Sequence, residues 1–185
     1  RIQAGCIWKP NEPNFPESNR KYAQSRFNSL LRSFPSREAK DKFFAIARRW
    51  VEEGKVRIVP DDEPRPTQEF LIPTFAVVKE SSETTQVRMV HDGAGRPKDG
   101  SARCINDAQL PGPKLINDLP QVIMRFRKHS VGVCGDVSEM FLQISLPESD
   151  RPYHRFFSQD EEGKQILIEM LRHGFGEKGT PVIAI

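Results

Sequence analysis

The residue in this sequence best placed to do chemistry is an aspartate at the end of a short apolar run. Asp136 follows Val131-Gly-Val-Cys-Gly135 and precedes Val137, Ser138, Glu139 and the apolar pair Met140-Phe141. If the run is a buried strand, the carboxylate sits rigidly at the rim of a sheet, where a divalent-metal ligand belongs. A helix N-cap or loop aspartate satisfies the same local pattern, and both readings stand. Arg88 lies on the alternating stretch Val87-Arg-Met-Val90, opposite Lys79 on the partner strand of a predicted hairpin. Two cations converging on one hairpin can hold a triphosphate, and two solvated surface charges are the plainer alternative.

Other motifs carry less. Gly174-Phe-Gly-Glu-Lys-Gly179 has the glycine spacing of a dinucleotide-binding loop. Such a loop works inside a strand–helix–strand unit with an acidic residue about 20 positions further on, and the sequence predicts no such unit here. Asp61-Asp62 is an adjacent carboxylate pair, but it lies in a Pro-rich stretch and is expected to be a solvated acidic loop. The three cysteines (Cys6, Cys104, Cys134) are odd in number and widely spaced, which predicts reduced thiols. With no Cys-x-x-Cys and with His91, His129, His154 and His173 scattered, the sequence predicts no zinc site.

The elements that must position these residues follow from periodicity. Ala23, Phe27, Leu30, Leu31 and Phe34 recur at helical spacing up to Pro35. A second helix is predicted from a Ser36 cap through Phe43, Phe44, Ala47, Trp50 and Val51 to Gly54. Strands are expected over 55–59, 70–79, 85–91, 131–134 and 141–146, and a hairpin over 153–157 and 165–170 around Asp160-Glu-Glu-Gly163. Residues 1–16 read as an arm, and 92–114 as a long connection. Asp118 and Pro120 predict a helix start, with Leu119, Val122, Ile123 and Phe126 on its inner face. The fold class expected is α+β with antiparallel sheet.

Composition sets the outer bounds. The chain has 185 residues, 37% hydrophobic and 29% charged, with 15 Pro and 12 Gly, which excludes collagen-like, coiled-coil and strongly disordered classes. No apolar run is long enough to span a bilayer, and no secretory leader opens the sequence. Both ends read as cut from a longer chain. The net charge is +3, but it is unevenly spread. Between Arg20 and Arg49 nine Lys/Arg face two acids, and residues 51–70 are locally acidic. A basic stripe of this kind suits a phosphate backbone, or is a solvated helix face.

Five segments in order resemble the reverse transcriptases of BEL/Pao-type retrotransposons. Phe75-Ala-Val-Val-Lys-Glu-Ser-Ser82 with Thr85-Gln-Val-Arg-Met-Val-His-Asp92 resembles the fingers hairpin, although that family usually has an aromatic where His91 stands. Ile105-Asn-Asp-Ala-Gln-Leu-Pro-Gly-Pro113 resembles the connecting segment, and residues 119–128 the following helix. Gly135-Asp136 through Met140-Phe-Leu-Gln-Ile144 resembles polymerase motif A, and Gly174-Phe-Gly-Glu-Lys-Gly-Thr-Pro181 the element opening the next palm helix.

The resemblance implies a right-hand polymerase fragment. Its regions would be an N-terminal arm and helix (1–35), a fingers-like region (36–130) and an incomplete palm (131–185) with antiparallel sheet. Asp136 would be the catalytic metal-binding aspartate, with the Val137 carbonyl as a neighbouring ligand of Mg²⁺ or Mn²⁺. Phe141 would gate the sugar, excluding a 2′-hydroxyl. Lys79 and Arg88 would contact the triphosphate, and Phe175 and Gly176 would line the nucleotide pocket. The complete enzyme would bind an RNA/DNA template-primer and dNTPs. Its setting would be intracellular, either cytoplasmic in a virus-like particle or nuclear, with no membrane partner. The aromatic-x-Asp-Asp motif of such enzymes is not in the sequence, so no polymerase activity is expected of this chain alone. The alternative is a non-catalytic nucleic-acid-binding remnant of a degenerate retroelement.

Overall fold

Helical periodicity produces two long helices at the start of the chain. In α1 (Arg20–Ser33) Ala23, Phe27 and Leu30 are buried, and extended Phe34 before Pro35 ends the helix. In α2 (Arg37–Glu52) the Ser36 hydroxyl accepts the Ala39 N–H at 3.1 Å, and Phe43, Phe44, Ala47 and Trp50 are buried. Gly54, at φ +64°, turns the chain out of that helix. The computed structural model describes residues 2–16, 18–79, 81, 86–100 and 102–185.

Both helices pack on antiparallel sheet, which makes the class α+β. Strands β1 (Val56–Val59), β4 (Arg155–Gln159) and β5 (Gln165–Met170) form one sheet in the order β1-β5-β4. A separate hairpin pairs β2 (Thr74–Val78) with β3 (Val87–His91). Helix α1 contacts β2 and β4, and α2 contacts β3, β1 and β4, so the two sheets share one core. The link between them runs along β4, where Leu71 bridges Arg155 and the Ile72 N–H donates to the Arg155 carbonyl at 2.7 Å. Asn19, the N-cap residue of α1, uses its side chain for this link and not for a cap hydrogen bond. Its amide donates to the Leu71 carbonyl (2.7 Å) and accepts the Leu71 N–H (2.9 Å), as a neighbouring strand would.

Charge crosses the three-stranded sheet in one rung. Register places Arg57 and Arg155 on either side of Glu169. The Arg57 Nε lies 2.6 Å from Glu169 Oε1, and an Arg155 Nη lies 2.6 Å from Glu169 Oε2. Glu63 joins both arginines, at 2.5 and 3.1 Å, while Glu69 lies 3.6 Å from Arg155 and 2.9 Å from Arg20 of α1. Arg155 and Glu169 are almost wholly buried, so each charge relies on the others for its solvation.

Four expectations fail here. Residues 2–9 are not a loose arm: Ala4 donates to the Ser145 carbonyl, Ser145 to Ile2, Lys9 to Ala108 and Leu110 to Ile7. Residues 131–134 form no strand, and Val131 and Val133 are 76% and 85% exposed. Gly132 lies instead against the Phe126 ring, where an added Cβ would fall 2.5 Å from the ring edge. Residues 141–146 do not extend throughout. Glu139 adopts φ +49° and starts a 3-10 turn (Met140–Gln143), leaving only 144–146 to pair with neighbours. Helix α4 (Leu119–Phe126) forms, but its apolar side, including Val122 and Ile123, is exposed, because no described element packs on it.

Replacing Arg155 with Met removes one of the two arginines on buried Glu169 and leaves Arg57 as its partner. We expect urea-denaturation curves to show a loss of about 1–3 kcal/mol from the charged hydrogen bonds removed, and no measurable loss would show that Arg155 is dispensable to the rung.

Candidate functional site

The short connection after β3 decides how the proposed site residues meet. Helix α3 (Ile105–Ala108) carries Asn106, whose backbone N–H donates to the Gly93 carbonyl at 3.0 Å. The Asn106 side chain donates to the Gly176 carbonyl (3.3 Å) and accepts the Lys178 N–H (2.8 Å). One amide therefore ties the end of the hairpin to the segment 176–178. The approach is too close for a side chain. A Cβ on Gly93 would lie 2.3 Å from the Gly176 carbonyl oxygen, and one on Gly176 would lie 1.8 Å from the His91 carbonyl oxygen. Gly176 also has φ +101°, a conformation L-residues rarely adopt. Gly176 thus serves close backbone packing, and the helix that follows, α5 (Thr180–Ile183), has only four residues.

Phe175 meets Phe141. Their ring centroids lie 4.7 Å apart with planes at 74°, an edge-to-face contact between residues 34 positions apart in sequence. Phe175 remains 44% exposed, so the pair forms a surface ledge and not a core contact. Glu139 fixes the turn beneath Phe141 by pairing with Arg49 (2.5 Å) and Lys55. Burial pushes the Glu139 carboxyl up, but the Lys55 hydrogen bond and the Arg49 charge outweigh it and hold the group below its ordinary range.

Arg88 does not sit directly opposite Lys79. The register pairs Arg88 with Val77, and the Lys79 N–H donates to the Gln86 carbonyl. With a side-chain period of two, Lys79, Val77 and Arg88 nevertheless share the exposed face, and the two cations are diagonal neighbours. Residues 80 and 82–85 of the expected loop and strand lie outside the described residues. The opposite face buries Val87, Met89 and His91. His91 packs between two rings, stacked on Trp50 at 6.2 Å and edge-on to Phe156 at 4.8 Å.

Asp136 and Val137 lie in an exposed stretch with no strand beneath them, so the rigid sheet-rim placement is not formed. Among the described residues, no hydrogen bond, ion pair or ring contact joins Asp136 to Lys79, Arg88, Phe141, Phe175 or Gly176, and no second carboxylate groups with it as a metal set. The later aspartates are engaged elsewhere. Asp150 accepts from the Cys6 N–H (2.8 Å) and the Trp8 indole (3.1 Å), and Asp160 accepts the Lys164 N–H (2.8 Å) within the β4–β5 turn. The residues described around Asp136 therefore do not fit a two-metal centre.

A cluster that sequence reading missed lies elsewhere. His154 Nε2 is 2.7 Å from Glu177 Oε2 and 3.4 Å from Cys6 Sγ, with His154 and Glu177 buried. Burial disfavours the charged imidazole, but Glu177 and Cys6 outweigh it and hold the His154 pKa well above its ordinary value. Burial likewise pushes Glu177 up, and His154 with the Gln109 amide (2.8 Å) holds it below the usual carboxylate range. The Cys6 thiol is pushed up, chiefly by burial. The three residues stand at positions 6, 154 and 177, so no local spacing announces them.

With this geometry in place, comparison with known proteins adds no family: no protein-family model and no curated protein matches the chain.

Two predictions follow from the hairpin end. Burial pushes His91 down to about 4 from 6.5. The unfolded chain therefore binds more protons than the folded one between these values, so His91's contribution is intact above pH 6.5 and lost as pH falls through about 4. His91→Phe should flatten the acid limb of the unfolding free energy between pH 6.5 and 4 by roughly 2–4 kcal/mol. An unchanged limb would place that protonation elsewhere. Gly176→Ala should lower stability by at least about 2 kcal/mol in thermal or urea unfolding, from positive φ and backbone contact together.

Proposed function

We propose that the chain carries the nucleotide-facing part of an RNA-directed DNA polymerase of the BEL/Pao retrotransposon type. The observation that carries this reading is the Phe141–Phe175 contact, which joins the residue expected to gate the sugar to the residue expected to line the nucleotide pocket. The shared exposed face of Lys79 and Arg88 supports it as a phosphate-facing surface. In this reading Arg88 and Lys79 neutralise phosphate oxygens, Phe141 excludes a 2′-hydroxyl, and the Gly93–Gly176 contact holds hairpin and pocket loop together. In the complete enzyme Mg²⁺ supplies Lewis acidity to phosphoryl transfer, but Asp136 alone does not assemble that chemistry here.

Binding of a fluorescent dNTP to the 185-residue chain tests the reading. We expect saturable binding, weakened about tenfold by Arg88→Ala, which corresponds to about 1.4 kcal/mol. Phe141→Ala should narrow the preference for deoxy- over ribonucleotide. Absent binding, or binding indifferent to both substitutions, would remove the reading. Primer extension on an RNA template is expected to give no incorporation, since Asp150 and Asp160 are structurally committed.

A second reading rests on α1 and α2. Among the described residues Lys21, Arg26, Lys40 and Arg48 form no ion pair, whereas Arg37, Lys42 and Arg49 each pair with an acid. A non-catalytic nucleic-acid-binding surface would use the unpaired set. Its affinity for RNA or DNA would fall steeply with salt and ignore Asp136→Asn.

A further inference from the structure

The Cys6–His154–Glu177 cluster brings three metal-ligating atoms together, with His154 and Glu177 buried. His154 Nδ1 lies 2.7 Å from the Asp150 carbonyl, which can only accept, so Nδ1 carries a hydrogen. Nε2 then faces Glu177 Oε2 at 2.7 Å and Cys6 Sγ at 3.4 Å. A proton on Nε2 serves the Glu177 carboxylate, and the Cys6 thiol carries its own. A cation between the three would replace both protons with bonds to all three donors.

From this arrangement we infer that Cys6, His154 and Glu177 form a binding site for a zinc-class divalent cation. Sulfur, imidazole nitrogen and carboxylate oxygen are the donors zinc takes, and three protein ligands leave a fourth position for water or another donor. The three donor atoms lie within 4.8 Å of one another. Tetrahedral bonds of about 2.0–2.1 Å to nitrogen and oxygen and about 2.3 Å to sulfur place the donors about 3.3–3.6 Å apart. The nitrogen–sulfur separation of 3.4 Å already matches, and the nitrogen–oxygen separation of 2.7 Å must lengthen by about 0.6 Å on metal binding.

The surroundings are those of a supported ligand set. Asp150 positions two ligands: its carbonyl holds the Nδ1 side of His154, and its Oδ2 accepts the Cys6 N–H at 2.8 Å. A ring N–H donated to a backbone carbonyl is the usual outer-shell support of a metal-bound histidine. Gln109 Nε2 donates to Glu177 Oε2 at 2.8 Å. Thiolate and imidazole favour zinc, cobalt(II) or nickel(II) over Mg²⁺, so this site is separate from any polymerase metal and does not rest on the polymerase reading. Binding is balanced by loss of two protons, one from His154 Nε2 and one from Cys6 Sγ, as two bonds to the cation form. The cation ties the N-terminal segment to the loop that carries Gly176.

The test titrates the whole reduced chain with Zn²⁺ and Co²⁺. We expect one cation per chain, a thiolate-to-cobalt charge-transfer band, and release of about two protons per cation near neutral pH by calorimetry in buffers of different ionisation enthalpy. Millimolar Mg²⁺ should not compete. Cys6→Ser should weaken zinc binding by more than the roughly 10–100-fold of an outer-shell change and abolish the band, while Cys134→Ser leaves both intact. On the unaltered protein, Zn²⁺ should slow alkylation of Cys6, mapped by mass spectrometry, and not of exposed Cys134. No stoichiometric binding, a band that survives Cys6→Ser, or equal protection of both thiols would overturn the site.

Discussion

The Arg57–Glu169–Arg155 rung is the constraint on which the rest of the structure hangs. A buried arginine must find carboxylates, and Arg155 finds them on β5, on the loop after β1 and just before β2. That requirement draws residues 63–72 across the sheet, so Glu63 and Glu69 supply counterions to Arg155, while Asp61 and Asp62 stay exposed as the sequence leads one to expect. Arg20 extends the same network into α1 through Glu69. Three arginines and three glutamates then fix the relative placement of one helix, three strands and the link to the hairpin. Such a network gives register more than net stability, since each ion gives up its hydration on burial.

The hairpin and the segment 174–179 meet under a different constraint, backbone against backbone. Gly93 and Gly176 approach too closely for any side chain, and Asn106 closes the contact with hydrogen bonds in both directions. Phe175 reaches Phe141 as a consequence of this seam. The same seam sets Glu177 beside Gln109 and His154, so the surface ledge and the buried cluster lie on opposite sides of one loop.

Much of the local structure was legible in sequence. Both long helices, the Ser36 cap, β1, the hairpin of β2 and β3, and the β4–β5 hairpin around Asp160-Glu-Glu-Gly163 follow from period and turn chemistry. Residues 131–134 misled because β-branched residues alternating with glycine resemble a buried strand wherever they lie. In α4 the apolar stripe records that a helix has a side to bury, not what covers it. For the candidate site, sequence named Phe141, Phe175, Gly176, Lys79 and Arg88. It could not show that Arg88 pairs with Val77 or that Asn106 is the tie.

What the sequence determined by itself is therefore short-range: helical and strand periods, caps, turn glycines and the uneven distribution of charge. These depend on residues within a turn or two of one another. Tertiary structure alone decided that Cys6 would lie against His154 and Glu177, that Glu63 and Glu69 would neutralise Arg155, and that Asp136 would stand apart from the Phe141–Phe175 ledge. In the buried cluster the hydrogen-bonded residues lie 23 and 148 positions apart. These outcomes share one physical reason. A donor, a charge or a bare carbonyl is satisfied by whatever the fold brings near, and proximity in space leaves no mark in local spacing.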